Sequence, residues 1–271
     1  MKPVSYGAGR VIETMKTVNP YRVAKQLICG RIRWDLDWRS WSSRRALTRL
    51  RGVHAGGKAV ILCNGPSLLR TDFQAINKAG LFTFGLNKIN LLFETSAFRP
   101  SCVVAVNEHV LEQNRDFFNE TLLPLFLDSA AKKWVKERGN VVFLHNAQYP
   151  AFAEDCRVSL FQGYTVTYVA MQLAFHMGFR AVGLVGCDHN FAQKGRPNEA
   201  VVAGHHDPSH FHPKYFADGA TWNLPDLRSS EFYYLMAKDH YEENGRELYN
   251  CTAGGNLEVL PRRTLEQFLA E

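Results

Sequence analysis

Five of the ten histidines lie between positions 189 and 212: His189, His205, His206, His210 and His212. Histidine exchanges a proton near neutral pH, so a loop this dense in imidazole is where a general base is sought. Any of the five could be that base. A structural role is the alternative for each. The pair His210-x-His212 can also offer two nitrogens to a metal if Asp188 approaches. Yet the stretch lacks the H-E-x-x-H helix of zinc hydrolases and has no cysteine among these histidines. His54, His109, His145, His176 and His240 are scattered and are read as structural.

A second chemistry is written in polar residues that end apolar runs. "AVILC" stops at Asn64-Gly65-Pro66-Ser67, and three further runs stop at Asn87, Asn107 and Asn146. "GLVGCDHNF" stops at Asp188. Asparagine both donates and accepts, so several on one edge suit a sugar, a base or a phosphate ester. At the first of these turns Gly65 lets a backbone come close, and Pro66 suits the first turn of a helix. Ser67 and the N–H groups after it can then meet an anion at the positive end of that helix. A plain strand-to-helix turn is the competing reading. The turn is neither a Walker loop, since G-K-[ST] is missing, nor the G-x-G-x-x-G dinucleotide fingerprint. It is not a G-x-S-x-G elbow, so Ser67 is a poor nucleophile. Asp188 can hold a ribose, a metal ion or an acceptor hydroxyl, or it can cap a helix.

These positions need elements to hold them. The runs "KAVILC", "LFTFGLN", "PSCVVAVN", "NVVFLHN" and "RAVGLVGCD" read as short buried strands. "TLLPLFLDSAAKKWVKER" reads as mostly helical, and "TVTYVAMQLAFHMGF" as a helix stopped at Gly178. The alternation argues for an α/β fold: a Rossmann-like, mainly parallel sheet with helices on both faces. In such a sheet ligands bind at the carboxyl ends of the strands. "HHDPSHFHPKYFADGATWNLPDL" reads as a long His/Pro-rich lid loop, and a helix, a strand and a final helix follow it.

The 271 residues are 46% hydrophobic and 21% charged, which is ordinary for a globular protein. The net charge of +6 is uneven: residues 1–52 carry twelve basic and three acidic side chains, and the rest is slightly acidic. The basic character therefore belongs to an N-terminal extension, residues 1–55, ahead of a main domain over 56–271. Trp34, Trp38 and Trp41 alternate with arginines there, so residues 22–51 suit peripheral contact with an anionic inner-membrane surface. A helix packed on the domain with a solvated basic face is the plainer reading. Nucleic acid is not expected, because the main domain offers no second basic patch. The six cysteines form no C-x-x-C pair and read as reduced thiols. No run approaches the length of a membrane span, and no signal peptide is recognised, so a cytoplasmic location is expected, including at the cytoplasmic face of the membrane.

Taken in order, "LCNGPSL", "GFRAVGLVGCDHNF", "SHFHPKYF" and "YNCTAGGNLEVLP" resemble the MptE-like family, named for an archaeal 6-hydroxymethyl-7,8-dihydropterin pyrophosphokinase. Its bacterial members look like parts of surface-glycan systems. The same order is similar, more distantly, to small bacterial sialyltransferases that use CMP-sialic acid. That resemblance implies nucleotide or donor contacts for Asn64, Gly65, Ser67, Asn87, Asn107 and Asp188, and a base at His212, or else at His210. Thr165 and Thr167 in "YTVTY" stand where those enzymes carry T-S-G. Phe211 replaces the tyrosine beside the loop histidine, and "CDHNF" lacks the tyrosine after the aspartate.

The first functional expectation is thus a glycosyltransferase of surface polysaccharide or glycoconjugate synthesis. It would use a nucleotide-activated sugar, CMP-linked among the options, and a glycan or lipid-linked acceptor. A CMP-linked donor does not make a metal essential, and no cofactor is otherwise implied. The second is a pyrophosphokinase using ATP, with Mg²⁺ held by Asp188 and a second acid such as Glu108. The third is a non-catalytic module that binds a sugar nucleotide or a glycan.

Overall fold

The computed structural model describes residues 19–270 except residue 194, together with residues 4–5 and 11–12. Most of the extension before residue 19 therefore lies outside the described residues.

The apolar runs form strands β1 (Lys58–Leu62), β2 (Phe82–Leu86), β3 (Cys102–Ala105), β4 (Leu125–Asp128), β5 (Val141–Leu144) and β6 (Ala181–Val185). Two short strands in the lid, β7 (Ala200–Val202) and β8 (Thr221–Asn223), precede β9 (Glu247–Asn250). Seven of them make one sheet, in the order β9-β6-β1-β2-β3-β4-β5, and every neighbouring pair is parallel. All residues of β3, β4, β5 and β6 are buried. That is why these strands read as unbroken apolar runs: a parallel sheet is covered on both faces and does not alternate.

The helices are α1 (Pro20–Leu36), α2 (Trp38–Leu50), α3 (Phe73–Lys78), α4 (Glu108–Gln113), α5 (Arg115–Glu120), α6 (Val166–Met177), α7 (Leu227–Glu243) and α8 (Leu265–Ala270). One face of the sheet packs on α2, α6 and α7, the other on α3, α4, α5 and α8. Helix α6 is buried nearly all round and therefore carries little amphipathic signal. Thr165 caps its start, and Gly178 ends it in the left-handed region at φ 93°. Gln172 and His176, two of its buried polar side chains, are tied to neighbouring backbone, while His176 Nδ1 has no hydrogen-bond partner among the described residues. Gln172 accepts from the Ala153 N–H and donates to the Phe161 carbonyl, and His176 Nε2 donates to the Leu47 carbonyl at 2.8 Å.

Two local expectations are corrected. Residues 121–138 are not mostly helical: they contain β4 and a 3₁₀ turn over Ser129–Lys133. Burial on both faces of the sheet decides the state of "LFLD", against the helix-forming residues that follow. The chain after Asn64 also opens no α-helix. Pro66–Arg70 is a 3₁₀ turn, and α3 starts only at Phe73.

Helix α2, which lies within the basic extension, closes one edge of the sheet. Edge strand β5 donates the Phe143 N–H to the Ser43 hydroxyl at 2.9 Å, and that hydroxyl donates to the Arg39 carbonyl at 2.9 Å. Leu47, one turn on, is buried in the core. Ser43→Ala leaves a buried strand N–H without a partner. A loss of about 1–3 kcal/mol is expected in urea unfolding, whereas Thr48→Ala, at an exposed position of the same helix, stays within about 0.5 kcal/mol.

Candidate site at the carboxyl edge of the sheet

The chain runs outward from β1 to β5 and then crosses back to place β6 on the other side of β1. The β1–β6 boundary is therefore the switch point, where the two strand ends splay and a crevice opens. Both polar turns singled out in the sequence meet there. The Ser67 N–H and hydroxyl donate to Asp188 Oδ2 at 3.0 and 2.7 Å. The Gly65 N–H donates to the Gly186 carbonyl at 2.8 Å. A Cβ on Gly65 would stand 2.1 Å from Asp188 Oδ2, so only glycine lets the carboxylate in. From the far side, the Asn256 N–H donates to the Asp188 carbonyl at 2.8 Å. Asp188 thus holds the turn end that was open to an anion, and Ser67 is buried beneath it.

The asparagines divide into two groups. Asn64 Oδ1 at the end of β1 and Asn87 Oδ1 at the end of β2 are buried with no hydrogen-bond partner among the described residues. Their strands are neighbours about 4.8 Å apart, and continuing the register past the strand ends sets Asn64 opposite Asn87. Asn87 sits at φ 50°, a left-handed conformation that asparagine tolerates. Asn146 Oδ1 is likewise buried and unpaired, but at the far edge beside β5. Asn107 caps α4 by accepting the Val110 N–H. Thr165 caps α6 and lies 3.3 Å from the Tyr234 hydroxyl. Thr167 is buried with its hydroxyl 3.7 Å from Cys63 Sγ, which brings the amino end of α6 to the end of β1.

The lid is fastened over the same strand ends. The Phe211 N–H donates to the Asn64 carbonyl at 2.9 Å, and Lys88 Nζ donates to the Tyr215 carbonyl at 2.7 Å. Within it, His210 Nδ1 lies 2.7 Å from Asp207 Oδ2. The imidazole stacks on Tyr215 at 4.1 Å with the rings 2° from parallel. Burial pushes the Asp207 carboxyl up. The His210 hydrogen bond and charge, with the N–H groups of Ser209 and Phe216, outweigh it and hold the group below its ordinary range. His210 Nε2 makes no hydrogen bond to a described residue.

His212, one residue on, is held differently. Its Nδ1 accepts the Lys214 N–H at 3.2 Å, which places the ring proton on Nε2, 3.6 Å from Glu94. Its lone pair is therefore already engaged. Of the other loop histidines, His189 bonds to Glu231 at 2.9 Å and the exposed His205 to Asp218 at 3.2 Å.

Three groups at this edge were not read from the sequence. Asp207 lies in "HHDPSH", three residues before its histidine. Lys88 follows Asn87 and is buried, which pushes its ammonium down to about 8 despite the charge of Asp207. Asp128 ends β4, fully buried, and burial raises its carboxyl to about 6 against hydrogen bonds from Ala130 and Gln162. A charged residue at the end of an apolar run, directly after it at Asp128 and one place further at Lys88, was the available signal in the last two cases.

A Mg²⁺ site does not assemble from the acids named for it. Asp188 and Glu108 follow strands three places apart, about 14 Å at ordinary strand spacing. Glu108 is paired with Lys133, and Asp188 with Ser67. Among the described residues, no three metal-ligating side chains converge.

No protein-family model matches the chain, and no curated protein sequence matches it. A solved structure titled "Structure of MAf glycosyltransferase from Magnetospirillum magneticum AMB-1" aligns with 84% of this chain, at 15% identity and a TM-score of 0.49. The chain spans 39% of that protein's length.

Two predictions follow from the geometry at the strand ends. Asp188→Ala removes two hydrogen bonds to a charged group and is expected to cost about 2–4 kcal/mol in denaturant unfolding. Asp128 binds its proton more tightly folded than unfolded. Its contribution is therefore present below pH 3.8, the ordinary carboxyl value, and is lost as pH rises through about 6. Asp128→Asn should flatten that part of the stability–pH curve between pH 4 and 7, as measured by urea midpoints against wild type.

Proposed function

We propose that the chain is a glycosyltransferase-like enzyme that takes a nucleotide-activated sugar and uses His210 as general base. The observation that carries this reading is the Asp207–His210 pair, held in a lid fastened over two adjacent buried acceptors, Asn64 and Asn87, at the switch point of a parallel sheet.

Each part has a role in such a transfer. Asp207 accepts the Nδ1 proton and so fixes the tautomer that leaves a lone pair on Nε2. Nε2 takes the proton of the acceptor hydroxyl. That oxygen bonds to the anomeric carbon as the bond from that carbon to the phosphate oxygen breaks, and the nucleotide leaves with the electron pair. Asn64 and Asn87 accept hydrogen bonds from sugar hydroxyls or from a base amino group. The amino end of α6, rather than the turn at Ser67, is the nearby helix end suited to phosphate. A glycan or lipid-linked acceptor of surface polysaccharide or glycoconjugate synthesis fits this chemistry. The chemistry requires no cofactor.

A thermal-shift screen of CMP, CDP, UDP, GDP and ATP, each with and without Mg²⁺, tests the donor class. A ligand at a hundredfold excess over its Kd adds about 2.7 kcal/mol to folding stability. CMP is expected to raise the melting temperature without help from Mg²⁺. A shift with ATP alone that requires Mg²⁺ would overturn the reading in favour of pyrophosphoryl transfer. With a donor in hand, His210→Ala should lower kcat by about 10²–10⁴, as expected for loss of a general base. His212→Ala should change it less than about tenfold. The reverse order would move the base to His212. Retained ligand binding with no turnover in wild type would leave a binding module.

A further inference from the structure

Helix α1 turns an apolar stripe to solvent. Tyr21, Ile28, Ile32 and Leu36 are all exposed, Leu36 to 76%. At 100° per residue these four positions fall within an arc of roughly 80° on α1. Just past the turn, Trp38 and Trp41 at the start of α2 are also exposed, to 65% and 53%. The opposite side of α1 is the packed one: Trp34 is buried against the ring of His145, 5.2 Å away.

Cations edge and punctuate the stripe. Arg22, Lys25, Arg33, Arg45 and Arg49 are exposed and form no ion pair with a described residue, Lys25 within the arc and Arg22 and Arg33 at its margin. The two acids of these helices are already neutralised, Asp35 by Arg31 and Arg44, and Asp37 by Arg39 and Lys132. The surface therefore combines apolar and aromatic side chains with unpaired positive charge.

Its position in the fold is specific. Lys132 follows β4 and reaches Asp37 at 2.9 Å, and His145 follows β5. The α1–α2 junction thus lies at the carboxyl ends of the strands, on the edge that carries Asn64, Asn87 and the lid.

We infer that this surface docks on an anionic lipid bilayer, with the aliphatic and indole side chains at the headgroup–acyl boundary and the arginines among the headgroups. Charge complementarity selects the occupant. An anionic interface matches the unpaired cations, and its apolar margin buries the aliphatic stripe, which a nucleic-acid backbone does not. The docking would turn the carboxyl edge of the sheet toward lipid-borne molecules. It stands whether or not the transferase reading does.

The test is partition of the full chain into vesicles of phosphatidylcholine with phosphatidylglycerol, against phosphatidylcholine alone. Sedimentation and quenching of tryptophan by brominated lipid report it. Binding to the mixed vesicles only, with quenching, and weakened by salt, is expected. Arg33→Gln should lower the partition coefficient about fivefold, the effect of one cation near such a surface. Leu36→Ser combined with Trp38→Ser should lower it at least about tenfold. Both sites are exposed, and circular dichroism confirms that the variants remain folded. Absence of binding by folded wild type at low salt would overturn the inference. So would unchanged partition of the double variant, or retention by duplex DNA without vesicle binding.

Discussion

The grip of Asp188 on Ser67 is the contact on which the rest of the carboxyl edge depends. It joins the ends of β1 and β6, the two strands between which the chain reverses its direction across the sheet. The carboxylate supplies the negative end that the short turn after β1 requires, and Gly65 supplies the space. With the turn fixed, the Asn64 carbonyl is presented to the lid and the Asn64 side chain faces inward. An interaction that a sequence reader would assign to ligand binding is here part of the frame. The Asn64 and Asn87 side-chain oxygens, by contrast, have no hydrogen-bond partner among the described residues.

The lid holds one imidazole in a fixed orientation. A loop with little periodicity holds His210 by three means at once: a carboxylate on Nδ1, an aromatic face against the ring, and two hydrogen bonds that fasten the lid, from the Phe211 N–H to the Asn64 carbonyl and from Lys88 to the Tyr215 carbonyl. Such redundancy orients an imidazole more tightly than a single bond does. His212, two residues away, shares the composition of its surroundings but not their geometry.

Much of the fold was legible because burial on both faces writes parallel strands as short apolar runs, and β1, β2, β3, β5 and β6 all appear that way. Strand β4 was hidden, since "LFLD" is only four residues long and is followed by alanines and lysines that favour helix. Strand ends also pointed to Asn64, Asn87 and Asp188, because topology fixes which end of an α/β sheet gathers ligands. The contacts between those residues could not be read. Ser67 and Asp188 are 121 positions apart, and no local pattern records a bond across that interval. Nor did composition separate His210 from His212: what separates them is that Nδ1 donates to the Asp207 carboxylate in one case and accepts a backbone N–H in the other. Asn107 and Thr165, by contrast, behave as their types do most often next to helices, as caps.

The two outer strands of the sheet are each closed by something other than a strand. Ser43 takes the Phe143 N–H of β5, and Leu160 bridges to Asn146 just beyond it. On the opposite side, Asn250 of β9 bonds to Pro261 and Arg263 of the C-terminal segment. Backbone that would otherwise template a neighbouring chain is consumed within the molecule. Any self-association must then be negotiated by side chains on the helical layers or the lid, and growth by adding sheets edge to edge, the first step of many aggregates, finds little purchase.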